Sequence, residues 1–536
     1  MDADDPSAKH ISARPINMSK GRPEDLQRCR QYLKECLGHP WCMNAANKSE
    51  HHYIAPKRLL DVQEHSTARL YTIPPGDYPQ YVALSYCWGD TQSERVKTTK
   101  ANLQSRHNVI NLSEFPQTIQ DAIQVCCSLD FHYIWIDALC IVQDDDEEKA
   151  SEIAKMGSIY RGAALTISAA SAAKSTDGFL QARTFEQAYG QVFRIPYYHR
   201  QENYTTRGYI FLSELPISDD YQEPLDKRGW AMQEDMLSLR LLRFGSKQTT
   251  WRCPTYPGFG INIDGGRHPM RENEDPDFDV HVPSRNAEVR LRMLEDGALA
   301  LSNVYGSWQR NIERYTLRKL SKASDRLPAC AALAENFGEI MGLQPSDYLA
   351  GLWKPDLMVQ LLWSRLELPD VPDTDSPTCL GPTWSWASLN APVWFFERHL
   401  TLSNLAVKTE AQYMDSQIKH RFEQSPYAEV ESGRLALQGR LQQAHWLGVV
   451  LVAHVTSWEI MPVAITWDIA GDVHLENVWC FEVVGSFLTV GLILVEKGQE
   501  AFKRVGYFEC SSGEEEEHAL IQKWFNKNEP KIISIE

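Results

Sequence analysis

Three apolar runs separated by single helices govern what this chain can fold into. "YVALSY" (81–86), "HYIWIDALCIV" (132–142) and "AALTISAAS" (163–171) each read as a strand. In the first gap, "FPQTIQDAIQVCCSLD" places Pro116 in the opening helical turn, where its missing N–H costs little. Ile119, Ala122, Ile123 and Cys126 then recur on one helical face. In the second gap, "DDEEKASEIAKMGSIY" starts with acids, as the helix dipole prefers. Strands alternating with single helices imply parallel pairing and a doubly wound α/β layer. Such sheets bind ligands beyond the carboxyl ends of their strands. That rule singles out Ser85 to Asp90 after the first strand, Asp137 to Asp144 around the end of the second, and Ser168 to Ser171 after the third.

The chain has 536 residues, too many for one ordinary core. Residues 1–75 read as a helical and irregular lead, 76–250 as the α/β domain, 251–365 as a helical region and 366–536 as a β-rich domain. Within these, 180–225 looks irregular or strand-like, and helices are expected over about 286–342 with a break near Ser324 to Pro328. "YLAGLWKPDLMVQLLW" (348–363) has the pattern of an amphipathic helix, whereas "GPTWSWASLNAPVWF" (381–395) is too rich in Trp and Pro to be helical. Short apolar strands recur from about Arg434, and "GEEEEHALIQKWF" is an acid-capped late helix.

Charge and cysteine content narrow the setting. Lys and Arg number 54 against 71 Asp and Glu, a net charge of −17, which disfavours nucleic acid or anionic membrane as the main partner, because phosphate binding needs a basic face. The start, "MDADDPSAKHISARP", is polar and acidic, unlike a secretory signal. The most apolar runs, "WLGVVLVAHV" and "FLTVGLILV", are about half the roughly 20 residues of a spanning helix. A soluble cytoplasmic protein is expected, its 12 cysteines reduced. Cys36, His39 and Cys42 stand close together, but a structural zinc site needs four ligands. Cys29 or the His51–His52 pair would have to complete it, so packing is expected here and no metal.

No phosphate-binding loop ending in GK[ST], no GxGxxG after the first strand, and no HExxH or GxSxG is present. An acidic and aromatic constellation remains. Asp137, near a strand end, can accept hydrogen bonds from a ligand's hydroxyls, or cap a loop. Arg228 can pair with Asp137, hold a phosphate, or form a surface ion pair. Trp88 is either a lid on the core or a stacking platform. In "DKRGWAMQEDMLSLRLLRFG" (226–245), Trp230 and Glu234 share one helical face, with Leu237 and Leu241 at helical spacing beside them. Glu234 is then either a solvated helix residue or an acid whose pKa burial would raise.

These blocks also match something specific. "YVALSYCWGD", "FPQTIQDAI", "YIWIDALCIVQDDDEEKASEIAKMGSIYRGAALTISAAS" and "RGWAMQEDMLSLRLLRFG", in that order, resemble the fungal heterokaryon incompatibility (HET) domain over about 80–245. Flanking stretches such as "CLGHPWC" with "APKRLLDV", "PTWSWAS" and "KRVGYFEC" are similar to those of stand-alone family members. The resemblance implies a fungal intracellular protein acting in vegetative incompatibility and programmed cell death. It also implies a TIR-like sheet, since the HET domain is thought to be a distant relative of TIR domains, some of which cleave NAD through a glutamate. The TIR-type Trp four residues before that acid is matched by Trp230 and Glu234. Glu234 and Asp137 are therefore the candidate catalytic residues, and Ser85, Trp88, Gly89, Gln143, Arg228 and Trp230 the candidate ligand-binding set. No cofactor is implied, NAD entering as a substrate. The partner would be a self or non-allelic HET-type protein, with homo-oligomers in view, or a small molecule. Two features leave other readings open. The Trp–Glu block follows a long insertion after the third strand, and no nucleotide-triphosphatase or WD-repeat module accompanies the domain. The alternative is an enzyme recruited to terpenoid or polyketide biosynthesis, such as a cofactor-independent cyclase with an apolar pocket lined by C-terminal aromatics.

Overall fold

The computed structural model describes Pro6 and residues 17–43, 54–62, 67–89, 96–189, 191–201, 204–213, 222–264, 298–366, 381–396, 409–447, 451–452, 460–461, 463–468, 477–485, 489–498, 501–510 and 515–536. Asp90, His51, His52 and residues 286–297, all named above, lie outside the described residues. The chain divides into two compact units, 1–287 and 288–536.

The first unit is built on a nine-stranded sheet. Its strands begin with β1 (Arg58–Asp61), β2 (Thr67–Thr72), β3 (Val82–Ser85), β4 (Ile110–Asn111), β5 (Tyr133–Trp135) and β6 (Leu165–Ser168). A separate antiparallel hairpin follows, β7 (Val192–Gln201) and β8 (Tyr204–Ser213). The sheet resumes with β9 (Leu241–Phe244), β10 (Thr249–Cys253) and β11 (Tyr256–Asn262). The order is β11-β10-β9-β6-β3-β5-β1-β2-β4. Four central strands, β5-β3-β6-β9, run parallel. Both flanks are antiparallel, so the expected all-parallel sheet is in fact mixed. The physical reason is the connections: β1 to β2 and β10 to β11 are short links, which reverse the chain and cannot make a parallel crossover. The sheet also reaches past residues 76 and 250 at both ends.

Period-two alternation loads both faces of the parallel core. Leu60, Val82, Leu84, Ile134 and Ile136 face α1 (Pro23–Leu37) and α2 (Gln117–Ser128) through Leu26, Cys29, Leu33, Ile119, Ala122 and Cys126. Leu59, Tyr81, Ala83 and Trp135 face the opposite way. They pack with Ile153 of α3 (Asp146–Ala154), Ile159 and Tyr160 of α4 (Met156–Gly162), and Trp230 of α5 (Gly229–Leu237). The sequence reads α3 and α4 as one helix, but the chain breaks at Lys155. Leu241, placed on a helix by its spacing, belongs to β9, because α5 ends at Leu237 and Ser238 is extended.

The second unit contains α6 (Ala298–Thr316), α7 (Ala331–Met341) and α8 (Glu515–Phe525), with a ten-stranded, largely antiparallel sheet formed from residues 412–535. The helix expected over 348–363 does not form. Short strands Tyr348–Leu349 and Leu352–Trp353, a turn at Lys354–Asp356 and one helical turn, Leu357–Gln360, take its place. Ala350 and Gly351 both have positive φ, 45° and 103°, which a helix cannot hold. Gly351 is needed there: a Cβ would lie 2.6 Å from Trp386 Nε1, while its carbonyl accepts the indole N–H groups of Trp308 and Trp386. Trp308, Trp353, Trp363, Trp384 and Trp386 are all fully buried, and they form the interior of this unit. Among the described residues, no helix is long and apolar enough to cross a membrane.

Candidate active site

Strand order locates the site before any side chain does. The chain enters the parallel core at β3, crosses to β5 on one side, and then to β6 on the other. Connections leaving β3 and β6 therefore diverge, and sheets of this kind bind ligands at such a divergence, beyond the carboxyl ends of the strands. The hairpin β7–β8 occupies the long insertion, and the chain then returns to this edge. Leu225 N–H donates to Ala170 O, just past β6, at 3.3 Å. Ser238 Oγ, at the far end of α5, lies 2.7 Å from Thr166 Oγ1 within β6. α5 is thus fastened at both ends to β6, and Glu234 is delivered to the strand ends.

Glu234 is 4% exposed, not a solvated helix residue. Ser85 Oγ, the last position of β3, donates to its Oε2 at 2.5 Å. The Tyr160 hydroxyl donates to Leu84 O at 3.0 Å and also lies within hydrogen-bonding reach of Glu234. Trp230 joins the cluster that contains Tyr160, so the apolar packing behind the acid comes from α4 and α5 together. Arg228, at the start of α5, donates to Tyr86 O. Asp137 opens a helical turn after β5 and accepts from Trp88 Nε1 at 3.0 and 2.8 Å and from Ala138 N–H at 2.7 Å. Gln143 Nε2 donates to Asp137 O at 3.0 Å, holding that turn closed. Gly89 has φ of 78°, and a Cβ there would meet Lys174 Cβ at 2.4 Å, so the turn carrying Trp88 requires glycine.

Burial dominates the electrostatics. It pushes the Glu234 carboxyl up from its usual 4.5 to about 7, against the pull of Arg228 and the Ser85 hydrogen bond, and with a further push from Asp137. Asp137 is raised too, first by burial, with Arg228, Ala138 N–H and Trp88 opposing. Burial works against the charge of Arg228, but Glu234, Cys87 and Asp137 outweigh it and hold its pKa up. One guanidinium thus serves two carboxylates. An acid titrating near neutrality, with a hydroxyl aimed at it, can take or give a proton or steady a developing positive charge. Gly89 is exposed and Trp88, Asp137, Gln143 and Arg228 are partly exposed, so this side of the cluster is the one nearest solvent.

Seven of the eight residues singled out from sequence fall in this one cluster or its supporting turns; Trp230 backs it. Sequence reasoning missed Tyr160, and placed Tyr86 within the strand-end stretch without a role, where its hydroxyl bonds Asp137. Both stand in the quoted blocks, but a tyrosine beside a strand has no signature of its own. A small cavity lined by Lys20, Asp25, Cys29, Thr249 and Asp264 shares no residue with the cluster. Cys36, His39 and Cys42 do converge, and Cys253 joins them as a fourth donor.

The fold and site define an α/β domain with a buried acid at the carboxyl ends of a parallel strand core. Residues 81–234 match the family model described as Heterokaryon incompatibility protein (HET), a span that begins at β3 and ends on Glu234. The chain thus carries a region similar to the heterokaryon incompatibility domain, over 81–234. Heterokaryon incompatibility protein 6, OR allele, of Neurospora crassa is 33% identical over 124 residues, a match covering 20% of this chain and 17% of that protein. No solved structure matches the chain.

Proposed function

We propose that the protein is an effector of vegetative incompatibility whose HET domain cleaves NAD or a related nucleotide, with Glu234 as its principal acid. The observation that carries this reading is the buried Glu234 carboxyl, held at about 7, bonded to Ser85 and sharing Arg228 with Asp137. The name of the Neurospora relative supports the incompatibility role. The four parallel strands with an acid at their carboxyl ends, and the Trp230-to-Glu234 spacing, support a TIR-like ancestry.

In this reaction the bond from ribose C1 to the nicotinamide nitrogen breaks, its electron pair leaving with neutral nicotinamide. Ionised Glu234 steadies the positive charge on C1 and the ring oxygen. Water adds to C1 and gives up a proton to the carboxylate, leaving ADP-ribose. Asp137 accepts hydrogen bonds from ribose hydroxyls, Arg228 holds the anionic diphosphate, and Trp88 offers its ring as a stacking surface. The rival cyclase reading would need an apolar pocket beside the C-terminal aromatics, of which Trp353, Trp363, Trp384 and Trp386 are packed as interior.

Controlled expression in a fungus, with growth and NAD content read together, tests the proposal. Wild type should arrest growth and deplete NAD, and Glu234→Gln should do neither while remaining folded. Equal NAD loss in both would remove Glu234 from the chemistry.

A further inference from the structure

Three thiols and an imidazole meet in the first unit away from the acid cluster. Cys36 lies in the last turn of α1, His39 and Cys42 in the turn that follows, and Cys253 ends β10. Cys36 Sγ is 3.4 Å from Cys42 Sγ, Cys42 Sγ is 3.7 Å from His39 Nδ1, and all four donor atoms lie within 4.8 Å of one another. A tetrahedral zinc, with Zn–S about 2.3 Å and Zn–N about 2.0–2.1 Å, spaces its ligand atoms roughly 3.4–3.8 Å apart. The fit is close. A disulfide does not fit: its sulfurs would be about 2.05 Å apart, and all three cysteines are free.

Ordinary packing of thiols would explain their burial, but not Arg240. Its side chain is 4% exposed and donates from Nε to Cys36 Sγ at 3.3 Å and from Nη1 to Ala164 O at 3.3 Å. Among the described residues it pairs with no carboxylate. A guanidinium keeps its charge, and a buried charge needs a counter-charge. Three neutral thiols supply none. Three thiolates and a neutral imidazole on Zn²⁺ carry one net negative charge, which Arg240 balances.

We propose that Cys36, His39, Cys42 and Cys253 bind one zinc ion that ties α1 to the β10–β11 hairpin. Four protein ligands leave no open position, so the role is structural. Neighbours orient the ligands as outer-shell groups do: Thr255 Oγ1 lies 3.3 Å from Cys42 Sγ, and the His39 ring meets Tyr256 edge-on at 5.5 Å. His39 ligates through Nδ1, the nitrogen that faces Cys42.

Elemental analysis of the full chain, purified without chelator, should give one zinc per chain. Cobalt exchanged into the wild-type protein should show the intense visible bands of a tetrahedral site together with thiolate charge-transfer absorption. Cys253→Ser should lose or sharply weaken the metal, His39→Cys should keep it with shifted cobalt bands, and Cys126→Ser, a buried thiol elsewhere, should behave as wild type. A metal-free chain that is folded by circular dichroism and gives no cobalt spectrum would overturn the site. So would a cobalt spectrum unchanged in folded Cys253→Ser. If Cys253→Ser does not fold, the wild-type stoichiometry and cobalt spectrum still decide.

Discussion

Each unit sets an arginine against carboxylates, and the two arrangements differ in kind. In the second unit, Arg504 is 1% exposed and Asp468 6%. Arg504 Nε donates to Asp468 Oδ2 at 2.9 Å and Nη2 to Oδ1 at 3.3 Å. The same guanidinium donates to Leu361 O and Trp363 O at 2.6 and 2.5 Å, and lies 3.4 Å from the Trp363 ring centroid. The guanidinium and the carboxylate are each other's hydrogen-bonded partners, both buried. In the first unit, Arg228 faces both Glu234 and Asp137, an excess of one negative charge, and the cluster is partly exposed on one side. Burial of an ion pair therefore does not mark a site. What sets the first arrangement apart is a surplus carboxyl whose pKa burial has driven to about 7, the feature on which the proposed function rests.

The largest effect expected on stability tests the closed arrangement. Arg504→Met leaves Asp468 buried without its hydrogen-bonded partner, with only the weaker pull of Arg365 and Lys503, and should cost about 3–5 kcal/mol in urea unfolding. Adding Asp468→Leu should recover much of that loss, because no lone charge then remains. A loss below about 1 kcal/mol in the single variant would show that the pair behaves like an exposed one, and the contrast would fail.

Glu234→Gln should act in the opposite direction on stability. The folded chain holds the Glu234 proton more tightly than the unfolded chain does, because the carboxyl moves from 4.5 to about 7. The stability tied to that proton is complete below pH 4.5 and is lost as pH rises through 7. The shift corresponds to about 3 kcal/mol. Gln mimics the protonated acid at every pH, so the variant should be the more stable form at pH 8, and the gap should close by pH 4.5. Melting curves at the two pH values measure this. A pH-independent difference would mean that Glu234 does not titrate as a buried acid.

Ser85→Ala should follow with a smaller change. The lost hydrogen bond favours the ionised acid, so its pKa should climb further, with a cost of about 1.5–3 kcal/mol above neutrality. The pH midpoint of Glu234 titration, followed by carboxyl NMR or infrared absorption, should move up. A downward move would mean that Ser85 does not donate to the charged form.

What was legible in the sequence depended on range. β3, β5, β6 and α2 could be read because their signals, alternation of two and a helical face of 3.6, sit within a dozen residues. The strand-end rule then brought Ser85, Trp88, Gly89 and Asp137 to one edge. β9 was hidden because "LLRF" continues the apolar spacing of α5, and only the extended Ser238 separates them. The stretch 348–363 carries a true amphipathic pattern, and Gly351, placed to receive two indole N–H groups, overrides it. The roles of Tyr86, Tyr160 and Cys253 were invisible for one reason. They are contacts across the sheet or across more than two hundred residues, and no local spacing encodes them.

The smallest predicted change separates positioning from stability most cleanly. The Trp88 indole N–H donates to both oxygens of Asp137, at 3.0 and 2.8 Å, and its ring lies 5.3 Å from the Lys97 ammonium. Trp88→Phe keeps an aromatic face and deletes the donor alone. The site is partly open, so water can replace the lost bond, and the melting temperature should shift by no more than about 1 kcal/mol implies. Asp137 would lose a partner that favours its charged form, and its pKa, already raised, should rise further. An acid placed to accept ribose hydroxyls would then be both mispositioned and less often ionised. Any NAD-cleaving activity should fall several-fold with an upward shift in its acidic limb, while urea unfolding stays near wild type. The closed pair in the second unit cannot show such a split, because every bond of Arg504 serves the fold. If Trp88→Phe loses stability and activity in proportion, Trp88 is a lid on the core and Asp137 caps its turn.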